Sequence, residues 1–246
     1  MLDGEWEPSL IASIRNLINE GDESTLFVDI GANIGLTSAP MCNDVTKLIA
    51  IEPNPVSALI LQANLMLSSR SNNYSIVEKA ICADAGTQTL VTPEGNLGGA
   101  FINSTTTSLT TTELERKEGG AFSVESSHVV SAIDAETFFS DLINDPDHRG
   151  IQKVILKIDV EGQEGVIIRA LLSSPLWREK RVALFFESWR STEPIEFMRI
   201  ANTNLFARET NGDRWFICNQ KSFHNDLTEF FLSNFNVTPS VKCSLD

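Results

Sequence analysis

The run Thr25-Leu26-Phe27-Val28-Asp29-Ile30 stops directly on Gly31-Ala32-Asn33-Ile34-Gly35, and this constrains the chain more than any other stretch. A run that short and almost wholly apolar is a strand covered on both faces, which in turn requires a sheet with helices on either side. The pattern recurs at Lys47-Leu48-Ile49-Ala50-Ile51-Glu52, at Lys153 to Val160 and at Arg181 to Ser188. Pro53-Asn54-Pro55 opens a helix to about Ser69, Pro being favoured in a first helical turn, so a βαβ unit is complete early in the chain. Leu10, Ile14, Leu17 and Ile18 predict an amphipathic helix over about 8 to 20.

The remaining elements are read from turn chemistry. A third strand is expected at about Tyr74 to Ile81, and Asp84-Ala85-Gly86 turns into a short strand, Gln88 to Val91. Val129 to Ile133 predicts another, with Asp134 capping the helix that follows. Val166, Ile167, Ala170 and Leu171 mark a helix after the Lys153 strand, and Ile195 to about Asn204 reads as one more. Asn211-Gly212 between Leu205–Thr210 and Arg214–Asn219 is a hairpin signal. The reading is one α/β domain over 1–246, with residues 1–24 as an N-terminal helical segment. Its sheet is seven-stranded and mostly parallel, with an antiparallel C-terminal hairpin and helices on both faces. Residues 92–127, rich in Gly, Thr, Ser and Glu, form a polar insertion: a lid or substrate loop, or a β-hairpin with a loose tip.

Composition narrows the partners. With 19 Lys plus Arg against 33 Asp plus Glu, the net charge of -14 repels phosphate backbones, so nucleic acid is not an expected partner. No apolar stretch approaches the roughly 18 residues of a membrane span, and Met1 to Glu7 lacks the basic start of a secretory signal. A soluble, cytoplasmic protein is expected. Cys42, Cys82, Cys218 and Cys243 are scattered and read as free thiols, and the N-x-S/T triplets at Asn73, Asn103 and Asn236 as chance.

Ligands of open parallel sheets bind beyond the carboxyl ends of the strands, so the residues just after the apolar runs carry the chemistry. Gly31 and Gly35 flank a strand-to-helix turn whose bare backbone and exposed helix amides suit an anionic ligand group. Glu52 ends the second strand, where an acid accepts hydrogen bonds from ribose hydroxyls. Together they predict an adenosine-containing cofactor. Asn33 stands where nicotinamide-binding sequences place a central glycine, and its side chain would crowd a pyrophosphate. S-adenosylmethionine is therefore favoured over a nicotinamide dinucleotide. The alternatives are a nicotinamide-dependent oxidoreductase and a non-catalytic adenosine-binding module.

Val28-Asp29-Ile30-Gly31-Ala32-Asn33-Ile34-Gly35, then Ile51-Glu52-Pro53, then Lys157-Ile158-Asp159-Val160-Glu161-Gly162-Gln163-Glu164 resemble the FkbM-type methyltransferases. The similarity runs from about Thr25 to Ser188 and includes Asn96-Leu97-Gly98-Gly99 and Phe185-Phe186-Glu187. It implies a Rossmann-like class I methyltransferase fold, S-adenosylmethionine as cofactor, and O-methylation of a hydroxyl on a sugar, glycan or small natural product. It also implies that the Asp29–Gly35 turn, with Gly31, Asn33 and Gly35, holds the methionine part of the cofactor and Glu52 its ribose. Asp84 is a further candidate near the adenine, its other reading being an ordinary turn residue.

For catalysis, Asp159 and Glu161 lie two apart at a strand end and would share a face if extended geometry persists, joined by Lys157. Either is a candidate base for the acceptor hydroxyl or a ligand of a divalent metal that acidifies it; orienting backbone amides or the cofactor amine is the other reading. Glu187 is a third candidate. His128 and His224 sit at no confident strand end and are read as surface or packing histidines.

Overall fold

The computed structural model describes residues 7–21, 23–103, 124–187, 196–197, 200–201, 206–208 and 214–219. Its main sheet joins β1 (Thr25–Ile30), β2 (Lys47–Ile51), β3 (Tyr74–Val77), β8 (Lys153–Ile158), β9 (Arg181–Glu187), β10 (Phe206–Arg208) and β11 (Arg214–Cys218) in the order β10-β11-β9-β8-β1-β2-β3. The pairings from β9 through to β3 are parallel, whereas β11 runs antiparallel to both β9 and β10. This is the seven-stranded, mostly parallel sheet with a terminal antiparallel pair that the sequence predicts. The Asn211-Gly212 turn lies outside the described residues, as do His224, Asn236 and Cys243. Of the helix expected over 195–204, residues 196–197 and 200–201 are helical and the rest lies outside them.

Strand side chains alternate between two cores. Leu26, Val28 and Ile30 of β1 face one way, together with Val154, Leu156 and Ile158 of β8. They pack under helices α4 (Ala135–Asn144), α5 (Glu164–Ser173) and α6 (Pro175–Glu179). Phe27 and Ile155 face the other way, against α1 (Pro8–Asn19), the short α2 (Ser38–Met41) and α3 (Pro55–Ser68). Burying one large apolar side chain such as Phe27 contributes roughly 1.5–3 kcal/mol, so β1, fully buried along its length, is pinned in register from both sides. Local chemistry agrees: the Asn54 side chain accepts from the amides of Val56 and Ser57 at the start of α3, and Asp134 accepts from Thr137 N at 2.9 Å to cap α4.

The structure departs from the sequence reading in the middle of the chain. The strand expected over 74–81 breaks at the exposed charged pair Glu78-Lys79, which a sheet interior does not accommodate. Beyond the break, β4 (Ala80–Cys82), β5 (Gly86–Pro93), β6 (Phe101–Ile102) and β7 (Val124–Asp134) build a separate four-stranded sheet in the order β4-β7-β5-β6. The expected strands Gln88–Val91 and Val129–Ile133 are its longer β5 and β7, paired antiparallel. Both ends of the polar 92–127 segment therefore belong to a strand pair, while residues 104–123 lie outside the described residues. The helix expected after Gly35 is also reduced, to the four residues of α2, with Pro40 inside it.

Candidate active site

The chain leaves β1 toward β2 and β3, then returns on the other flank of β1 as β8, so a crevice opens between the carboxyl ends of β1 and β8. A cavity of about 690 Å³, open to solvent, lies there. Strand-end residues Gly31, Asn33, Glu52, Asp159 and Glu161 form one wall. The opposite wall comes from the second sheet and its approaches: Ala80, Ile81, Leu90, Leu97, Phe101 and Ile102. A lone parallel β-bridge between Phe101 and Glu161 ties the two walls together.

The glycine turn is shaped as much by the protein as by any ligand. Gly31 has φ +81°, and a Cβ there would sit 1.9 Å from the Asp159 carbonyl oxygen, so the turn lies against the backbone leaving β8. Asn33 adopts φ 50°, a left-handed conformation its short polar side chain tolerates. The sequence predicts exposed helix amides here, and the structure corrects this. Gly31 N and Ala32 N donate to the Ile51 carbonyl at 3.0 and 2.9 Å, Asn33 N to Glu52 Oε2 at 2.8 Å, and Gly35 N to the Ala32 carbonyl at 2.8 Å. The helix that would have presented free amides is the shortened α2.

Glu52, 7% exposed, accepts from Asn33 N through Oε2 and from Asn54 N at 2.7 Å through Oε1. Burial pushes its carboxyl above the usual range, against the lowering effect of those two amides. A carboxylate offers about four acceptor positions, so two remain for hydroxyl donors reaching it from the cavity.

Asp29 does not line the cavity. It is fully buried on the α1 face, its Oδ2 accepting from Ser38 Oγ at 2.6 Å and its Oδ1 lying 3.3 Å from Lys157 Nζ. Lys157 also reaches Asp159 Oδ2 at 3.1 Å and the Gly31 carbonyl at 3.4 Å. Burial by itself would lower the ammonium's pKa, but Asp159 and Asp29 outweigh it and hold the group well above the usual lysine range.

The remaining candidates are dispersed. Gly35 sits behind the wall, where a Cβ would meet Leu61 of α3 at 2.7 Å. Asp84 is exposed on the turn between β4 and β5, away from the cavity, whose far wall is built instead by Lys79 to Ile81. Glu187 lies in a smaller recess of about 170 Å³ that shares Asp159 with the main cavity. His128 sits in β7 of the second sheet, outside the cavity lining. Among the described residues, no cluster of three or more His, Cys, Asp or Glu could hold a metal ion.

Sequence reasoning missed the whole second-sheet wall except Asn96 to Gly99, where Asn96 Oδ1 accepts from Gly99 N at 3.0 Å. Gly86 to Thr89 is exposed or half-buried and Leu90 to Pro93 is buried throughout, so the strand carries no period-two alternation that would have marked one of its faces as a wall.

A family sequence profile described as "Methyltransferase FkbM domain" matches residues 29–213. The chain belongs to the FkbM methyltransferase family. It is similar to a curated protein, "Methyltransferase sdnD" of Sordaria araneosa, 29% identical over 154 residues, which cover 59% of this chain and 60% of that protein. This FkbM chain thus spans about 60% of that relative's length. Among solved structures it is similar to the precorrin 8W decarboxylase of Methanobacterium thermoautotrophicum, with a TM-score of 0.44, 14% identity, and coverage of 87% of this chain and 90% of that one. It is also similar to an rRNA methylase from Streptococcus thermophilus, with a TM-score of 0.45, 10% identity, and coverage of 87% and 95%. No described helix of the FkbM chain is long and apolar enough to cross a membrane.

Proposed function

We propose that this chain transfers the methyl group of S-adenosylmethionine to a hydroxyl of a sugar, glycan or small natural product. The observation that carries the reading is the meeting of Glu52, the Gly31–Asn33 turn, Asp159 and Glu161 on one cavity wall at the reversal of strand order. The apolar side chains of Ile51, Ile81, Leu90 and Leu97 lining the cavity suit a purine face. Glu52 would hold the ribose hydroxyls with its two open acceptor positions.

When bound, the cofactor supplies an electrophilic methyl on a sulfonium. The chain's own contribution is alignment of the acceptor oxygen for in-line attack, together with a carboxylate that takes the hydroxyl proton. Apart from Glu52, the carboxylates lining the cavity are Asp159 and Glu161, and either of these two would accept that proton. Lys157 Nζ holds Asp159 Oδ2 at 3.1 Å, so Asp159 is already engaged in an ion pair, and we take Glu161 as the first candidate for the base.

Calorimetry with S-adenosylhomocysteine tests the first step. Binding is expected, weakening by about 1–3 kcal/mol in Glu52→Gln and as pH falls through the raised Glu52 value, because the ribose hydroxyls donate to the ionised form. No binding by the unmodified protein would end the reading. Labelled-methyl screening of hydroxylated metabolite and glycan pools then finds the acceptor. With it, Glu161→Gln should slow transfer by about 10²–10⁴-fold.

A further inference from the structure

Two lysines occur four residues apart on the same face of β8, and both are buried. Lys153 shows how this fold satisfies such a group cheaply. Its Nζ donates to the carbonyls of Leu17, Ile18 and Glu20 at the end of α1, which a helix C-terminus leaves without internal donors. Lys157 is arranged differently. Its ammonium lies within 3.4 Å of Asp29 on β1, the carbonyl of Gly31 in the glycine turn, and Asp159 after β8. Lys157 itself does not line the cavity, but two of its three partners do.

Charge balance of the interior would need only one carboxylate, and Asp29, with no exposure, already fills that role. The side chain of Asp159 is 41% exposed and has no burial cost that would demand a partner. The second ion pair is therefore explained by position: it holds the strand-end acid against the turn whose next residues reach Glu52. Asp29 extends the same grip to α2 through Ser38 Oγ.

We infer that Lys157 is a positioning residue for the cofactor cavity, clamping the Gly31 turn to Asp159 so that the two keep their spacing without Lys157 touching the ligand. What the cavity binds rests on the methyltransferase reading; the clamp itself does not. Removing the clamp takes its Lys157 contact from Asp159 and lets the Gly31–Asn33 backbone shift, which disturbs the amide that Asn33 gives to Glu52.

The test compares Lys157→Met with Lys153→Met, since both remove one buried ammonium from the same strand and only the first touches the clamp. Where Lys157→Met alone fails to fold, the charge-balanced pair Lys157→Met/Asp29→Asn replaces it. Two readouts are taken below the melting temperature: hydrogen exchange of the Asn33 and Gly162 amides, and S-adenosylhomocysteine affinity by calorimetry. In the Lys157 variant, exchange should accelerate and affinity fall, each by about tenfold or more. In Lys153→Met both should stay within about twofold of the unmodified protein. Equal behaviour of the two variants, or unchanged exchange in the Lys157 variant, overturns the inference. Failure of the unmodified protein to bind S-adenosylhomocysteine sinks the methyltransferase reading instead, and the exchange comparison still decides the clamp.

Discussion

The two ends of β8 solve the same problem in opposite ways. At the amino end, Lys153 is surrounded by the backbone carbonyls of α1, and burial, with Arg181 nearby, pushes its pKa below the usual lysine value. At the carboxyl end, Lys157 meets two carboxylates that hold it above that value. Carbonyl dipoles satisfy a buried ammonium by hydrogen bonding alone, whereas carboxylates bring full opposite charge and make the local structure depend on it. The first arrangement fastens a helix to a strand. The second fastens two strand ends to each other around a cavity, which is where an α/β sheet puts its chemistry.

This contrast can be broken at several points. The largest effect is expected for Gly31→Ala, because the new Cβ would fall 1.9 Å from the Asp159 carbonyl at a backbone angle L-residues rarely adopt. Urea unfolding should show a loss of about 4 kcal/mol or more, and an ordinary surface-sized loss would mean that the turn and the β8 exit are not pressed together. Lys157→Met should cost about 3–5 kcal/mol, the usual result of leaving a buried carboxylate without its counter-charge. Lys153→Met should cost less, about 1–3 kcal/mol, since its orphaned partners are neutral carbonyls. A reversal of that order in paired unfolding curves would remove the distinction drawn between the two ends.

The alkaline pH dependence sharpens the comparison further. Lys153 has a depressed folded value, so between that value and 10.5 the unfolded chain binds more protons, and stability rises with pH across that window. Lys157 has a raised folded value, so its contribution is complete below 10.5 and is lost as pH climbs through the folded value. Unfolding midpoints taken across this range should lose the rising limb in Lys153→Met and the falling limb in Lys157→Met. Parallel curves for both variants would contradict the assignment.

The parts of this molecule legible in the sequence are those dictated by short-range pattern. β1, β2, β8 and β9 are buried on both faces, so uninterrupted apolar runs gave them away, and the acids that end them, Glu52 and Asp159, were visible for the same reason. In the second sheet the cores of β5 and β7 were legible, as Gln88–Val91 and Val129–Ile133, but not their full length nor that they pair into a sheet of their own. Its strands are rich in Thr and Ser, with exposed positions such as Thr87, Thr89 and Ser131, and a half-solvated hydroxylated strand resembles a loop in composition. The cavity's second wall was hidden with it. Nor could spacing reveal that Asp29 turns away from the cavity to meet Lys157 across 128 positions of chain, since that contact exists only once β1 and β8 lie side by side.

Glu52 has one more consequence. Because its two oxygens are already fixed by the amides of Asn33 and Asn54, the group that would greet an incoming nucleoside stands in its receiving orientation before any guest arrives. Association should then resemble a key entering a cut lock, with little rearrangement to slow it and little ordering entropy subtracted from the affinity.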